Sequence, residues 1–350
     1  MHIVIIGATG NVGTALLRRL HAADEVTSIA GVSRNGPDRT GEPYENVRWH
    51  RLDIGEAASA PALVEAMRGA DAVVHLAWVI RPNRDNVALR RINVNGSRRV
   101  FEAAAAAGVP HLVYASSVGA YGRPDRVAPG PGPQDESFPT CGAPASHYGR
   151  QKAEVEAILD EVSTSHPEML VTRLRPGLIF QEEAGPEIRD YFLGALAPRS
   201  LLRAVARMRV PLVPWPRGVV TQAVHTDDVA DAYWRVIQQH AGGAFNVAAD
   251  PPLGPDTLGT VLGARRWLPV PVPLVRALVS AAYRLRLEPT DPGWVDMAVL
   301  TPVMSTERIR AVVGWEPSRS THEALRAVID HLGDTGGLGN SRHRSRSPLR

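Results

Sequence analysis

The sequence predicts an α/β fold in which a doubly wound parallel sheet is joined to a smaller C-terminal domain. Three observations lead to this fold class. Short apolar runs alternate with stretches of helical periodicity through the first half of the 350-residue chain. The apolar runs are continuous, as in strands buried on both faces of a parallel sheet. A glycine-rich turn, GATGNVG, joins the first apolar run to the first helical stretch, and such alternation favours parallel strand pairing.

The elements of the first half follow in a regular order. The predicted strands are residues 2–8, 26–34, 47–54, 71–79, 110–117 and 168–176. The predicted helices are residues 11–23, 60–70, 86–108 and 145–162. The third of these helices ends at Gly108, a residue that favours helix termination.

The alternation stops after Pro176. Residues 177–220 are rich in proline, arginine and leucine, whereas residues 221–240 resume as a strand and a helix, and 243–249 as a strand. We therefore predict a first domain at residues 1–176, to which residues 221–248 return. A second, substrate-binding domain is predicted from residues 177–220 and 249–333, followed by a disordered basic tail at 334–350.

The composition is that of a globular protein without a membrane span. Hydrophobic residues make up 44% of the chain and charged residues 21%, as is typical of globular domains. No window offers about 18 uncharged apolar residues in succession, so a transmembrane helix is not expected. The first residues, MHIVIIGATG, lack the basic region of a signal peptide, and the single Cys141 excludes an intrachain disulfide. We therefore expect a cytoplasmic protein.

The positive charge is concentrated at the C-terminus. The formal net charge is +3, but the last ten residues, SRHRSRSPLR, contain four arginines and no acidic residue. The remainder is close to neutral. Such a tail can contact nucleic acid or an anionic surface, but we favour a disordered terminus and expect no nucleic-acid partner.

The glycine turn predicts a dinucleotide site. Gly7, Gly10 and Gly13 stand between a buried strand and a helix, which is the arrangement of the Rossmann-type phosphate-binding turn. Glycine allows the tight turn and the close approach of the backbone to a pyrophosphate. The N-terminus of the following helix then offers N–H donors and the positive end of its dipole to the phosphates.

The residues after the second and third strands bear on the choice of cofactor. NAD sites usually place an acidic residue after the second strand, whereas arginine suits the 2′-phosphate of NADP. The sequence here is GVSRNG, with Arg34 and no acid, so NADP is preferred. NAD remains possible through Asp38. Asp53, after the third strand, can accept the adenine amino group or cap a turn, and the sequence does not decide between these roles.

Tyr148 and Lys152 form a candidate proton-transfer pair. They lie four residues apart on a predicted helix, in HYGRQK, and therefore share one face. An ordinary tyrosine has a pKa near about 10, and a nearby ammonium group lowers it. We expect Tyr148 to exchange a proton with a substrate hydroxyl or carbonyl group while a nicotinamide exchanges the hydride.

With these motifs in place, the chain resembles the extended short-chain dehydrogenases/reductases, usually called the NAD-dependent epimerase/dehydratase family. The matching stretches are GATGNVG, LDI, VVHLA, NVNGS, YASSVGAYG, DESFP, HYGRQK, LRP and VHTDDVADA, and they span residues 7 to about 232. The resemblance implies a nucleotide-binding Rossmann domain at residues 1–176 and an NAD(P)-dependent enzyme.

The resemblance also implies roles for individual residues. In this family the catalytic hydroxyl lies four residues before the tyrosine that follows strand five, which gives Ser117 when counted from Tyr121. Tyr148 would be the acid/base, and Lys152 would lower its pKa and hold the nicotinamide ribose. The expected cofactor contacts are Gly7, Thr9, Gly10, Asn11, Val12, Gly13, Arg34, Asp53, Ile54, Leu76, Ala77, Asn93, Tyr148 and Lys152.

Two departures from the family's pattern concern the substrate. Nucleotide-sugar epimerases commonly carry an asparagine after strand six that contacts the sugar-nucleotide diphosphate, but here the residues are Arg175-Pro176. They also carry an arginine four residues before the position of His225, where this chain has Thr221. Both differences favour a small, fairly apolar substrate. Trp78 and Ile80 suit such a substrate, whereas Arg81 and Arg84 can hold an acidic group or be solvated.

Three functions are compatible with the sequence. The first is an NADP-preferring oxidoreductase that acts on a hydroxyl or carbonyl carbon. The second is a nucleotide-sugar epimerase or dehydratase that recycles its bound cofactor. The third is a non-catalytic, NADP-sensing regulator, which ranks last because Tyr148 and Lys152 are both present. A homodimer is compatible with any of them.

Two further features have structural interpretations. His225, Asp227 and Asp228 could suggest a metal, but we expect a structural role with an aspartate at a helix start, and no metal site. The apolar stretch 273–287 can lie on a membrane surface, but packing in the core or over the substrate is the preferred interpretation.

Overall fold

The computed structural model describes residues 1–38, 40–80, 85–125, 132–182, 211–287 and 290–331. Arg81, Arg84, the predicted tail at 334–350 and most of the stretch 177–220 lie outside these residues. The described part contains the predicted parallel α/β sheet, with flanking helices on both faces.

The elements that the sequence predicts lie close to their expected positions, and further strands and helices are present in the second half of the chain. The strands are β1 (His2–Ile6), β2 (Ser28–Ser33), β3 (Val47–Arg51), β4 (Ala72–His75), β5 (His111–Ala115), β6 (Leu170–Pro176), β7 (Leu178–Phe180), β8 (Leu212–Pro216), β9 (Ala223–His225), β10 (Gly243–Val247) and β11 (Arg266–Val270). The helices are α1 (Asn11–His21), α2 (Ala60–Met67), α3 (Asn86–Arg90), α4 (Gly96–Ala106), α5 (His147–Ser165), α6 (Thr226–Gln238), α7 (Pro255–Leu262), α8 (Val272–Arg284), α9 (Gly293–Leu300), α10 (Glu307–Val313) and α11 (Thr321–His331).

Seven strands form the central sheet in the order β10-β6-β5-β4-β1-β2-β3. Every adjacent pair is parallel. The strand order reverses between β1 and β4, and ligands in such sheets bind at the carboxyl ends beside this point. The glycine turn follows β1 and the serine pair follows β5, so the topology brings them to the same edge.

Continuous apolar strands are buried on both sides, as the sequence predicts. One core cluster packs α1 and α6 against the sheet through Leu16, Leu17 and Trp234. A second cluster packs α2, α4 and α5 against the opposite face through Phe101 and Leu159. This double layer of helices fixes the positions of the loops at the carboxyl edge.

The long helix predicted at 86–108 is interrupted. A π-helical turn, Arg91–Asn95, separates α3 from α4. Such turns insert one extra residue and often occur at functional sites. Here the turn carries Asn93, one of the predicted cofactor contacts.

Of the two kinds of packing expected for the stretch 273–287, core packing is wrong, whereas packing over the substrate stays a prediction. No residue of α8 is buried, although the helix contacts α9 through an ion pair of Arg276 with Asp296, whose Nε–Oδ1 distance is 2.8 Å. The apolar composition of this stretch did not reveal that the described residues leave one face of the helix uncovered. Among those residues, no helix has the length and apolar character needed to cross a bilayer.

Candidate active site

The first part of the site is the turn after β1, whose shape requires glycine. Gly7 has a φ of +94°, and a Cβ atom there would lie 2.7 Å from the backbone nitrogen of Ala77. A Cβ atom on Gly13 would lie 2.5 Å from the carbonyl oxygen of Gly7. The turn is therefore closely packed against α1 and against the end of β4, which brings Leu76 and Ala77 next to it.

The N-terminus of α1 fits an anionic ligand. Gly10 is the N-cap, no side chain caps the helix, and the first turn contains no acidic residue. Gly10 is exposed, and Thr9, Asn11 and Val12 are half-buried. The tip of this turn is thus accessible, and the helix end has the polarity that a pyrophosphate requires.

Two arginines, Arg34 after β2 and Arg51 at the end of β3, lie near each other. Arg34 is exposed. Arg51 is the register partner of Ser33 on the neighbouring strand, and its Nε would lie 3.2 Å from a Cβ atom on Gly36. Sequence analysis identified Arg34 but missed Arg51, which strand pairing brings to the same loop.

Asp53 and Ile54 have clear local roles. The Oδ1 atom of Asp53 accepts a hydrogen bond of 2.8 Å from the backbone N–H of Gly55, so this carboxylate caps a turn. Ile54 is buried in the core below α4, against Gly96, where a Cβ atom would be 2.9 Å from it. Asp53 therefore caps a turn, which is one of the two roles considered for it. Ile54 packs in the core against Gly96 of α4.

Asn93 holds the loop after β4. Its Oδ1 accepts from the N–H of Val79 at 2.8 Å, and its Nδ2 donates to the carbonyl of Val79 at 3.0 Å. The same Nδ2 donates to Oε1 of Gln151 on α5 at 3.1 Å. Asn93 therefore ties this loop to the helix that carries Tyr148.

Ser117, Tyr148 and Lys152 converge at the carboxyl edge. The Oγ of Ser117 accepts from the N–H of Gly119 at 3.0 Å and starts a short 3₁₀ turn. Tyr148 lies in the first turn of α5, and its ring packs so closely on Gly119 that a Cβ atom there would be 2.8 Å from the ring. Gly119 therefore permits the approach of the tyrosine to the serine.

The ring of Tyr148 is enclosed by two tryptophans. Trp294, from α9, stacks on it with ring centroids 5.2 Å apart and planes at 27°. Trp78, from the loop after β4, meets it edge-on at 5.9 Å. The Nε1 of Trp78 is a buried donor without a hydrogen-bond partner among the described residues, so the site retains unused capacity to bind an acceptor.

Burial controls the pKa of Tyr148. It raises the pKa to about 12, and a hydrogen bond with Ser117 opposes the shift. This direction is opposite to the one expected from Lys152, whose Nζ lies 6.0 Å from the Tyr148 ring centroid. The phenol is therefore protonated at neutral pH in this arrangement.

Lys152 is a buried ammonium group with few polar partners. Its Nζ donates to the carbonyl oxygen of Ala115 at 2.6 Å and lies 3.5 Å from the hydroxyl of Tyr114. The same atom lies 3.7 Å from the centroid of the Trp78 ring, a cation–π contact. Burial lowers the pKa of Lys152 to about 7, and the charge of Glu156 opposes this shift.

A buried ion pair supports the site, and sequence analysis missed it. Glu156 binds Arg175 through two contacts, with Oε1 accepting from Nε at 2.9 Å and Oε2 from a terminal nitrogen at 2.5 Å. The Oγ of Ser116 also donates to Oε1. Burial alone would raise the pKa of Glu156, but hydrogen bonds and charge from Arg175 hold it below its usual value.

The same network fixes Arg175. Its guanidinium donates to the hydroxyl of Tyr121 and to the carbonyl of Glu136, each at 2.9 Å. Ser116, which directly precedes Ser117 in the chain, is thus part of a structural network. The spacing of Tyr148, Lys152 and Glu156 places all three on one helix face. This spacing was the one feature of the sequence that could have indicated that Glu156 is buried beside the site.

A shallow pocket that is open to solvent lies beside Tyr148. Its lining includes apolar groups of Trp78, Val79, Ile80, Leu89 and Trp294, and polar groups of Asn86, Asn93, His147, Tyr148, Gln151 and Asp291. No lysine or arginine lines it among the residues that the structure describes. Tyr148 thus faces a pocket whose described lining has aromatic walls and the carboxylate of Asp291.

His225, Asp227 and Asp228 have structural contacts. His225 is the N-cap of α6 and accepts from the N–H of Asp227 at 3.2 Å. Asp228 accepts from the backbone and hydroxyl of Ser318, at 2.9 and 2.6 Å. Both aspartates lie in the first turn of the helix, while the cap itself is the histidine. Across the described residues, no group of three His, Cys, Asp or Glu side chains could hold a metal ion.

Comparisons with known proteins agree with this geometry. The sequence model of the NAD dependent epimerase/dehydratase family matches residues 3–248. A UDP-glucose 4-epimerase of Rhizobium meliloti is 26% identical over 332 residues, covering 90% of this chain and 92% of the relative. The crystal structure of the UDP-glucose 4-epimerase of Thermus thermophilus in complex with NAD superposes with a TM-score of 0.67 at 22% identity, covering 95% and 99% of the two chains.

A further relative matches only in part. The N-acetyl-alpha-D-glucosaminyl-diphospho-ditrans,octacis-undecaprenol 4-epimerase of Escherichia coli O157:H7 is 33% identical over 184 residues. The match covers 52% of this chain and half of the relative's length.

Proposed function

The chain belongs to the NAD dependent epimerase/dehydratase family, and from this premise we propose that it is a nicotinamide-dependent oxidoreductase acting on a small, largely apolar substrate. The reaction interconverts a hydroxyl and a carbonyl group. The observation that carries the proposal is the pocket at Tyr148, which has tryptophan walls and the carboxylate of Asp291. Such a lining favours an apolar, planar group over a diphosphate.

The cofactor site would be formed by the glycine turn and the end of β2. Gly7, Gly10 and Gly13 with the open N-terminus of α1 would hold the pyrophosphate. Arg34 and Arg51 would hold a 2′-phosphate, so NADP is the preferred cofactor and NAD the alternative. The nicotinamide supplies or accepts the hydride when it is bound. The single cysteine agrees with a cytoplasmic location.

Tyr148 would act as the proton donor in carbonyl reduction. Because its pKa is raised to about 12 by burial, it carries its proton at neutral pH. As charge develops on the carbonyl oxygen, Tyr148 donates this proton and becomes a phenolate. The ammonium of Lys152, in the same buried site, stabilises that phenolate, since charges interact strongly where water is excluded.

Ser117 would hold the reacting oxygen. Its hydroxyl accepts from Gly119, which leaves its proton available for donation to the substrate oxygen or to Tyr148. In the reverse direction the phenolate of Tyr148 takes the proton of a substrate alcohol. The Ser117 hydroxyl then stabilises the oxygen in both directions.

A nucleotide-sugar epimerase is the second candidate. It is favoured by the similarity to a UDP-glucose 4-epimerase, which matches over most of the chain. Against it stand Arg175, whose guanidinium is bound to Glu156 and Tyr121, and Thr221, which pairs with Leu253 through its backbone. Neither residue offers the diphosphate contact that the family pattern places there.

A cofactor assay separates the candidates. The purified protein is mixed with NADPH or NADH, and the absorbance of the reduced cofactor is followed with a panel of aromatic and aliphatic carbonyl compounds, and separately with UDP-glucose. Net oxidation with a carbonyl compound supports the oxidoreductase. Conversion of the sugar nucleotide without net change in cofactor supports the epimerase instead.

The Tyr148→Phe variant is the matched control. We expect turnover to fall by about a thousandfold while NADPH binding, followed by fluorescence, stays within about twofold of wild type. Cofactor binding without turnover on any substrate, in the wild type as in the variant, would instead support a cofactor-sensing regulator.

A further inference from the structure

The surface formed by β11 and α8 carries an apolar stripe that is unusual for a folded surface. Leu274 and Leu278 on α8 are 51% and 61% exposed, and Leu285 and Leu287, which follow the helix, are 69% and 51% exposed. Leu274, Leu278 and Leu285 recur at spacings of four and seven residues, which places them on one face. Trp267 and Leu268 of β11 are also exposed and directly precede the helix in the chain.

Another face of α8 is turned toward the protein. Val272, Val275 and Val279 are half-buried, and Arg276 is bound to Asp296 of α9. The helix is therefore held in place by its valine face, while its leucine face points away from the described residues. Exposed apolar surface of this kind usually marks an interaction site.

The charge of the same segment indicates the chemistry of the partner. Residues 265–287 contain five arginines and no acidic residue. Of these, only Arg276 forms an ion pair among the described residues. The other four are Arg265, Arg266, Arg284 and Arg286, all of them exposed. An apolar face flanked by uncompensated arginines has the composition of a helix that lies in the interface of an anionic bilayer.

We propose that the segment 265–287, with α8 at its centre, docks the protein on an anionic lipid surface. The leucines and Trp267 enter the boundary between headgroups and acyl chains, and the arginines contact the anionic headgroups. The docked helix packs against α9, which carries Trp294 of the pocket at Tyr148. The proposal does not depend on the chemistry of that pocket, and its test uses no activity measurement.

Vesicle co-sedimentation of the full-length protein tests the proposal. One set of vesicles is pure phosphatidylcholine, and the other contains about one third phosphatidylglycerol. We expect binding to the anionic vesicles that is at least about tenfold tighter than to the neutral ones, and that weakens as salt is added. Equal binding to both, or no binding to either, would overturn the proposal.

Variants locate the binding surface. Leu274→Glu with Leu278→Glu is expected to weaken binding to the anionic vesicles by at least about tenfold. Arg284→Gln with Arg286→Gln is expected to weaken it by about fivefold for each arginine removed. The matched control is Val87→Glu with Val312→Glu, two apolar residues that are 81% and 46% exposed elsewhere, and it should bind like wild type.

Two further outcomes would contradict the proposal. If replacement of the four tail arginines by glutamine abolishes binding while the leucine variant binds normally, the tail and not α8 is the lipid contact. If sedimentation velocity shows a dimer that the leucine variant converts to monomers, and vesicle binding is unchanged, then a second copy of the chain covers this face. Circular dichroism confirms that each variant is folded.

Discussion

Lys152 and Glu156 lie one turn apart on the same face of α5, and both are buried. Their charged groups differ in the hydrogen-bond partners that surround them. The Glu156 carboxylate receives two hydrogen bonds from Arg175 and one from Ser116. The Lys152 ammonium has the carbonyl of Ala115, the hydroxyl of Tyr114 and the face of Trp78. As a result the pKa of Glu156 is held below its usual value, whereas burial lowers the pKa of Lys152 to about 7.

On the proposed function, this difference separates a charge with a structural role, that of Glu156, from a charge that takes part in the reaction, that of Lys152. Glu156 is paired with Arg175 of β6 and with Ser116, which directly follows β5, so its network fixes the segment that carries Ser116 and Ser117. Lys152 is stable in its neutral form as well as its charged form near neutral pH, which is a property of groups in active sites. On the proposed function, its missing partners arrive with the cofactor and with the phenolate of Tyr148.

Removal of the Glu156 charge is expected to have the largest effect on stability. Glu156→Gln leaves Arg175 buried without its counter-ion, so the free energy of unfolding should fall by about 3–5 kcal/mol near neutral pH. Urea denaturation measures this loss. Because the pKa of Glu156 is lowered on folding, its contribution is present above the unfolded pKa and should shrink as the pH falls through the folded one.

A double variant is the control for this prediction. Glu156→Gln combined with Arg175→Met should cost less than the sum of the two single variants, because no buried charge remains unpaired. Strict additivity would show that the two side chains do not interact as described.

Removal of the Lys152 charge is expected to change the free energy of unfolding in the opposite direction. Lys152→Met should raise the free energy of unfolding by about 1–3 kcal/mol at about pH 6, since a poorly paired buried ammonium is costly. The folded pKa of about 7 lies below the unfolded value, so wild-type stability rises between about pH 7 and pH 10. The advantage of the variant should therefore shrink over that range in thermal melts. A variant less stable than wild type at every pH would contradict the comparison.

Substitution of Ser116 is expected to affect mainly stability, whereas substitution of Ser117 is expected to affect mainly turnover. Ser116→Ala removes a hydrogen bond to a buried carboxylate and should lower the free energy of unfolding by about 1–2 kcal/mol, with little change in turnover. Ser117→Ala should reduce turnover by about tenfold to a hundredfold and lower stability by less than about 1 kcal/mol. Urea denaturation and kcat/KM are measured on both. Equal effects of the two substitutions on turnover would remove the distinction.

The smallest expected effect concerns the cofactor. Arg34→Asp should shift the ratio of NADPH to NADH affinity by about tenfold toward NADH. The Arg51→Gln variant should shift it in the same direction by less. Fluorescence titration with each cofactor provides the ratio. An unchanged ratio in both variants would mean that these arginines do not select the cofactor.

The sequence was informative where the chemistry is local. The glycine turn and the pair Tyr148 and Lys152 are recognisable because each lies within a few residues. Arg175 and Glu156 are 19 positions apart and meet only after β6 packs beside α5. Trp294 reaches Tyr148 from the C-terminal region, and no local pattern predicts that contact. The apolar composition of α8 likewise did not show which side of the helix the protein covers.

On the proposed function, Lys152 becomes fully protonated only when the cofactor binds. Isothermal titration calorimetry at about pH 8, in two buffers of different ionisation enthalpy, measures this protonation directly as proton uptake upon binding of NADPH or NADH, whichever is tighter. Lys152, with its pKa of about 7, is mostly neutral at this pH, so we expect the wild type to take up between about half a proton and one proton. The Lys152→Met variant should take up none. No uptake by the wild type, or equal uptake by the variant, would contradict the account.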